Sequence, residues 1–200
     1  MLKINLSKII SMVLHWQFAF FLLIIIVCSV LEFSDLKTLL RYDRSLIESG
    51  QWFRLITANF VHLNTPHLLL NMSSVCLVML FFSRHISLSQ WVMLILMSCL
   101  FVSVGLYVLN PAVKTYVGLS GVLHGLFIVG AVKEIKHFPV SGWLLLAAFV
   151  VKLSWEQLVG AVPGSAAMVN GVVLVESHLY GAISGGVFLV LQSLFNGKKK

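Results

Sequence analysis

The 200-residue chain is 59% hydrophobic and only 10% charged, with a mean hydropathy of +0.98. So little charge cannot cover a water-facing surface of this size, which excludes a soluble domain and makes lipid the solvent for most of the chain. The net charge of +7 comes from cations at the ends of apolar stretches, not along one helix face, a pattern of membrane orientation that excludes a nucleic-acid partner.

In chain order, the first apolar segment is expected over residues 12–31. Lys3 and Lys8 precede it and no small-residue cleavage site follows, so it reads as a retained helix. Residues 32–54 carry eight charged side chains and form a long polar loop. A second helix is expected over 66–83, with Thr65 as N-cap and Pro66 at the first helical position, where its missing N–H costs nothing. A turn at Arg84 and His85 leads to a third helix over 90–109, which Asn110 and Pro111 end. The fourth segment is expected over 117–132, the fifth over 143–159 after Pro139 and Gly142, and the sixth over 172–195. Cys28, Cys76 and Cys99 lie inside apolar runs and act as small hydrophobes, which argues against a disulfide framework or a metal site.

These segments predict an all-α membrane protein, with the whole chain, 1–200, as one domain of six spans. Lys3, Lys8, Arg84, Lys133, Lys136 and Lys198–Lys200 fall on one side; Lys37, Arg41, Arg44, Arg54 and Lys114 fall on the other. The larger cluster sets the cytoplasmic side and predicts both termini there.

Three features do not belong in inert lipid-facing helices. The first is Gly118-Leu119-Ser120-Gly121 at the mouth of the fourth segment. A serine in a membrane helix is ordinarily structural, but flanking glycines allow close backbone approach and expose an N–H to a developing oxyanion. Ser120 to Val132 is 13 residues, or roughly 20 Å of helix against ~30 Å of hydrocarbon. A helix that short leaves Ser120 submerged.

The second feature is His178 with Gly181 and Gly185, which share one face of the sixth helix. Small residues at that spacing let it press against Gly121 and Gly125 of the fourth, and an ionisable residue within a span is a functional candidate. The third is His62, His67 and Asn71. His67 and Asn71 are one turn apart, so two side-chain donors face the same way at a submerged helix start. Metal ligation by His62, His67 and His178 is the rival reading, and it lacks an H-E-x-x-H motif or a carboxylate at helical spacing.

With Trp52-Phe53-Arg54 in the first loop, these motifs in this order closely resemble the rhomboid intramembrane proteases over nearly the whole chain. The resemblance implies a rhomboid-like six-helix bundle with a short, submerged fourth helix, no cofactor, and a Ser120–His178 dyad without an acidic third member. His67, Asn71 and the Ser120 N–H would hold the oxyanion; His62 and Arg54 would brace the first loop; Gly118, Gly121, Gly181 and Gly185 would permit close packing. The sequence departs from the family pattern at Phe53, where a tryptophan is usual, and at His124, where a tyrosine commonly supports the catalytic histidine. His124 stands one turn after Ser120 and is a rival base, with His178 preferred for its approach from another helix.

The run from Gly118 to Gly125 and the stretch Lys152-Leu153-Ser154-Trp155-Glu156-Gln157 look like the rhombosortase branch. That resemblance implies a bacterial inner-membrane enzyme, open to the periplasmic side. Its substrate would be a membrane-anchored protein with a C-terminal Gly-Gly motif, a single span and a basic tail. Lys152 and Glu156 are candidate substrate contacts, or an i,i+4 pair neutralising each other. Glu176 points away from His178 and is a poor orienter for it. An inactive rhomboid-like protein that binds spans without cutting them is the alternative function. A small transporter is a third, disfavoured by the lack of repeat symmetry.

Overall fold

The computed structural model describes residues 16–197, so Lys3, Lys8, Lys198–Lys200 and the start of the first segment lie outside the described residues. The described residues are mostly helical. Helix α1 is Trp16–Glu32. The polar loop folds into α2 (Lys37–Leu40), strand β1 (Tyr42–Asp43), α3 (Arg44–Glu48) and α4 (Arg54–Thr57). Then come α5 (Thr65–Phe82), α6 (Leu88–Leu109), strand β2 (Thr115–Tyr116), α7 (Ser120–Ile135), α8 (Pro139–Leu158), α9 (Ser165–Met168) and α10 (Val175–Gly197).

Among the described residues, α5, α6 and α10 are long and apolar enough to cross a membrane, and α1 is a shorter apolar helix. The outward faces of the long helices are hydrophobic: Leu80 on α5, Leu109 on α6, Leu144 and Val151 on α8 and Leu194 on α10 are all exposed. Apolar side chains turned outward over several helices mark a surface covered by lipid, and this is an integral membrane protein.

Several helix starts differ from the sequence expectation. Asn64, not Thr65, caps α5, its Oδ1 accepting the His67 N–H at 3.0 Å, so Pro66 takes the second helical position. Ser87 and Gln90 form a capping box that starts α6 at Leu88. Pro139, expected to break the chain, opens α8, because a proline needs no acceptor in a first turn. The fourth helix begins at Ser120 itself, three residues later than expected.

Helix α7 is the centre of the bundle. It packs against α5, α6, α8 and α10, most closely against α10. Glycines make that approach possible. A Cβ on Gly181 would collide with the Gly121 carbonyl oxygen, and one on Gly185 would come within 2.6 Å of the Gly125 carbonyl oxygen. Ser98 and Ser184, both buried beside Gly125, hydrogen-bond at 2.6 Å. Backbones this close align α7 and α10 at the level of Ser120 and His178.

The polar loop is tied to the mouth of α7 by β1 and β2, an antiparallel pair with Tyr42 opposite Tyr116 and Asp43 opposite Thr115. The Arg44 guanidinium reinforces the link, donating to the carbonyls of Leu106, Tyr107, Asn110 and Val113 at the C-terminal end of α6. These carbonyls lie at and just beyond the negative end of the helix dipole, so the cation complements the helix end while anchoring the loop. Arg54, only 2% exposed, does the same within the loop, donating to the Arg41 carbonyl at 2.8 Å, the Thr38 carbonyl at 3.2 Å and Gln51 at 2.8 Å.

Candidate active site

The segment entering α7 is held on both sides. The Gly118 N–H donates to the Ala58 carbonyl at 3.1 Å, and the Tyr116 hydroxyl donates to the Gly118 carbonyl at 2.8 Å. Gly118 has φ +124°, and a Cβ there would meet the His67 ring at 2.7 Å, so backbone conformation and space both require glycine. As the first residue of α7, Ser120 has an N–H with no acceptor in its own helix.

A cavity of about 740 Å³ opens at this point, and Ser120, His178, His67, Asn71, Lys152 and Glu156 all contribute to its wall. Ser120 Oγ lies 3.0 Å from His178 Nε2. His178 is 6% exposed and His124 8%, and their rings stack with centroids 4.0 Å apart and planes 9° apart. Phe149 of α8 packs against the His124 ring, at 5.0 Å between centroids. The His124 ring is thus held between those of His178 and Phe149.

On the α5 side, the Leu63 N–H reaches His67 Nδ1 at 3.4 Å, which leaves the His67 proton on Nε2, the nitrogen that faces Gly118. Asn71 is 3% exposed, and its buried Nδ2 has no hydrogen-bond acceptor among the described residues. A buried amide donor left free beside a serine is suited to a charge that appears only during reaction. His62 is fully buried, edge-on to His67 at 5.2 Å. Burial, with His67 and Lys37 nearby, pushes its ring down to about 3, so it packs as a neutral imidazole. Arg54 is not in the cavity wall; it acts through the loop, and Gly181 and Gly185 act through the α7–α10 contact.

Glu156 departs from the expectation. It is 2% exposed, and both carboxylate oxygens are engaged: Oε1 accepts from Lys152 Nζ at 2.8 Å, and Oε2 lies 2.9 Å from His178 Nδ1. Each oxygen thus meets a donor of the protein itself, and the residue still lines the cavity wall. The expected serine–histidine pair acquires an acidic neighbour. The i,i+4 pairing of Lys152 with Glu156 is present, but Lys152 Nζ also reaches His124 Nε2 at 2.7 Å. No spacing in the chain could reveal the His178 contact, because it depends on how α8 is rotated against α10. Tyr116 was missed for a similar reason, since a tyrosine in a two-residue strand carries no periodic signal.

His124, Glu156 and His178 bring ligand-type atoms within 4.8 Å of one another, a different trio from the three histidines weighed as metal ligands. The Lys152 ammonium, 2.7 Å from one member and 2.8 Å from another, already supplies a cation there.

Comparison with known proteins bears on the family of the chain. Residues 49–194, well over half of the chain, match the family model described as the rhomboid domain. A curated relative, the protein named "Putative rhomboid protease YdcA" of Bacillus subtilis (strain 168), is 26% identical over 145 residues. The match covers 70% of this chain and 66% of that protein, so the chain spans just under two-thirds of the relative's length.

Proposed function

The chain belongs to the rhomboid family, and from that membership we propose that it is an intramembrane serine endopeptidase with Ser120 as nucleophile and His178 as its base. The observation that carries this is the 3.0 Å contact between Ser120 Oγ and His178 Nε2 in a cavity beside unpaired donors.

Ser120 Oγ attacks the carbonyl carbon of the scissile peptide as its proton passes to His178 Nε2. The carbonyl oxygen, now an oxyanion, accepts hydrogen bonds from the Ser120 N–H, Asn71 Nδ2 and His67 Nε2. Collapse breaks the C–N bond, the amine leaves with the proton from His178, and the acyl group stays on Ser120. Water, deprotonated by the same nitrogen, then releases the acid and restores the serine. The short α7 supports a submerged reaction. Its 16 residues reach about 24 Å, less than the ~30 Å hydrocarbon core.

The substrate is a membrane-anchored protein cut in or near its span. On the rhombosortase resemblance, the cut lies near a C-terminal Gly-Gly motif that precedes a single span and a basic tail. Six spans, one domain, both termini in the cytoplasm and a cavity open to the periplasmic side of a bacterial inner membrane complete the reading. The charge distribution at the loop ends supports that orientation.

The test is labelling of the purified protein with a serine-directed fluorophosphonate probe. Stoichiometric modification at Ser120, lost in Ser120→Ala, is expected. A folded wild-type protein that no such probe modifies, and that binds spans without cleaving them, would instead be the inactive binding relative.

A further inference from the structure

The reading of Ser120 and His178 leaves two charged residues of the site without a task. Lys152 and Glu156 sit on α8, a helix that contributes neither nucleophile nor base, and Glu156 is among the most buried charged side chains described. A carboxylate carried into a membrane bundle is costly unless its partners compensate for the lost hydration. Its partners here are an ammonium at 2.8 Å on one oxygen and an imidazole nitrogen at 2.9 Å on the other.

We propose that Glu156, held in place by Lys152, is a positioning residue that fixes the reactive tautomer and orientation of His178, making the site a Ser120–His178–Glu156 triad. The proposal rests on the assignment of Ser120 and His178 above.

An ionised carboxylate only accepts hydrogen bonds, so His178 Nδ1 at 2.9 Å carries the ring's proton. Nε2 is left with its lone pair, directed at Ser120 Oγ 3.0 Å away. The opposite tautomer would set a nitrogen lone pair against the carboxylate and an N–H against the hydroxyl, removing the base. When Nε2 takes the Ser120 proton, the ring becomes a cation, and the adjacent negative oxygen stabilises it at the moment it forms. Stacking on His124 fixes the plane of the His178 ring but not which nitrogen holds the proton. Lys152 keeps Glu156 ionised and stops its carboxylate from rotating away. The remaining charged or titratable neighbours are His124 on α7, His67 on α5 and Glu176 on α10, and the Nδ1 contact belongs to Glu156.

The experiment compares full-length wild type, Glu156→Gln, Glu156→Asp, Lys152→Met and the double variant Lys152→Met/Glu156→Gln in detergent. The fluorophosphonate inactivation rate, kcat and KM on a transmembrane peptide substrate, and thermal unfolding are measured on each. Glu156→Gln and the double variant should lose about 10²- to 10⁴-fold in both inactivation rate and kcat, with KM within about threefold of wild type. Glu156→Asp should recover at least about tenfold of that loss, and Lys152→Met should lose less than about tenfold. The double variant leaves no stranded ammonium, so it carries the test if Glu156→Gln alone fails to fold.

Nitrogen-15 histidine spectra add a readout that packing alone would not move. The downfield Nδ1 proton assigned to His178 should disappear in the double variant. A wild type labelled at Ser120 together with a double variant labelled within about threefold of Lys152→Met would overturn the triad while sparing the protease. A wild type not labelled at Ser120 would overturn the assignment of the nucleophile, and the triad with it.

Discussion

Lys152 Nζ lies 2.7 Å from His124 Nε2, and this contact determines what His124 can do. An ammonium has only protons to offer, so Nε2 accepts and the ring's own proton sits on Nδ1, 2.7 Å from the Ser120 carbonyl oxygen. Both nitrogens of His124 are thus committed, and neither has a lone pair free for Ser120 Oγ. His178 has one, at 3.0 Å.

His178→Ala should therefore abolish both turnover and probe labelling, since a serine without its base is a poor nucleophile. His124→Tyr should keep substantial activity, because an aromatic ring can still stack beneath His178, and His124→Ala should fall between the two. The opposite pattern, His124→Tyr inactive and His178→Ala still labelled, would move the base to α7.

Ser120→Ala should eliminate cleavage and leave the protein folded. The hydroxyl's hydrogen-bond partner is His178, at the wall of a cavity, so removing it should shift stability by no more than about 1 kcal/mol. Proteolysis surviving in a clean preparation would contradict the assignment.

For Asn71, whose buried Nδ2 has no acceptor among the described residues, replacement by alanine removes a donor that acts when charge develops. Asn71→Ala should lower kcat by about 10- to 10³-fold with a smaller change in KM. A loss almost wholly in KM would make Asn71 a substrate or packing contact.

Gly181→Val tests the helix contact that aligns the site. Any Cβ at 181 meets the Gly121 carbonyl, backbone that cannot rotate away. The variant should unfold at lower temperature, by about 1–3 kcal/mol or more of lost stability, and lose activity with it. Gly186→Ala on the same helix, where a Cβ meets nothing within 4 Å, is the control and should be near neutral.

Arg54→Ala leaves the Arg41 and Thr38 carbonyls and the Gln51 side chain without their donor. Thermal unfolding should show a loss of roughly 2–4 kcal/mol, and Arg54→Lys should recover only part of it, since one ammonium cannot reproduce the planar fork.

The sequence by itself determined the lipid solvent, the order of apolar segments and the residues worth attention, because hydropathy and helical spacing are local properties. Ser120 with its glycines, His178 with Gly181 and Gly185, and His67 with Asn71 were legible for that reason: each set is one helix turn or two of a single chain segment. Helix starts were less so. Asn64 and Thr65 are both acceptable caps, and the choice fell to the residue whose oxygen reaches the His67 N–H. Tertiary structure alone decided the second partner of Glu156. Along α8 its neighbour is Lys152, and both the sequence spacing and the structure agree on that pair. That its other oxygen meets His178 Nδ1 depends on the rotation of α8 about its axis and on the depth to which Gly121, Gly125, Gly181 and Gly185 let α7 and α10 approach. Those are relations between helices far apart in the chain, set by packing to within an ångström, and no period within any one helix encodes them.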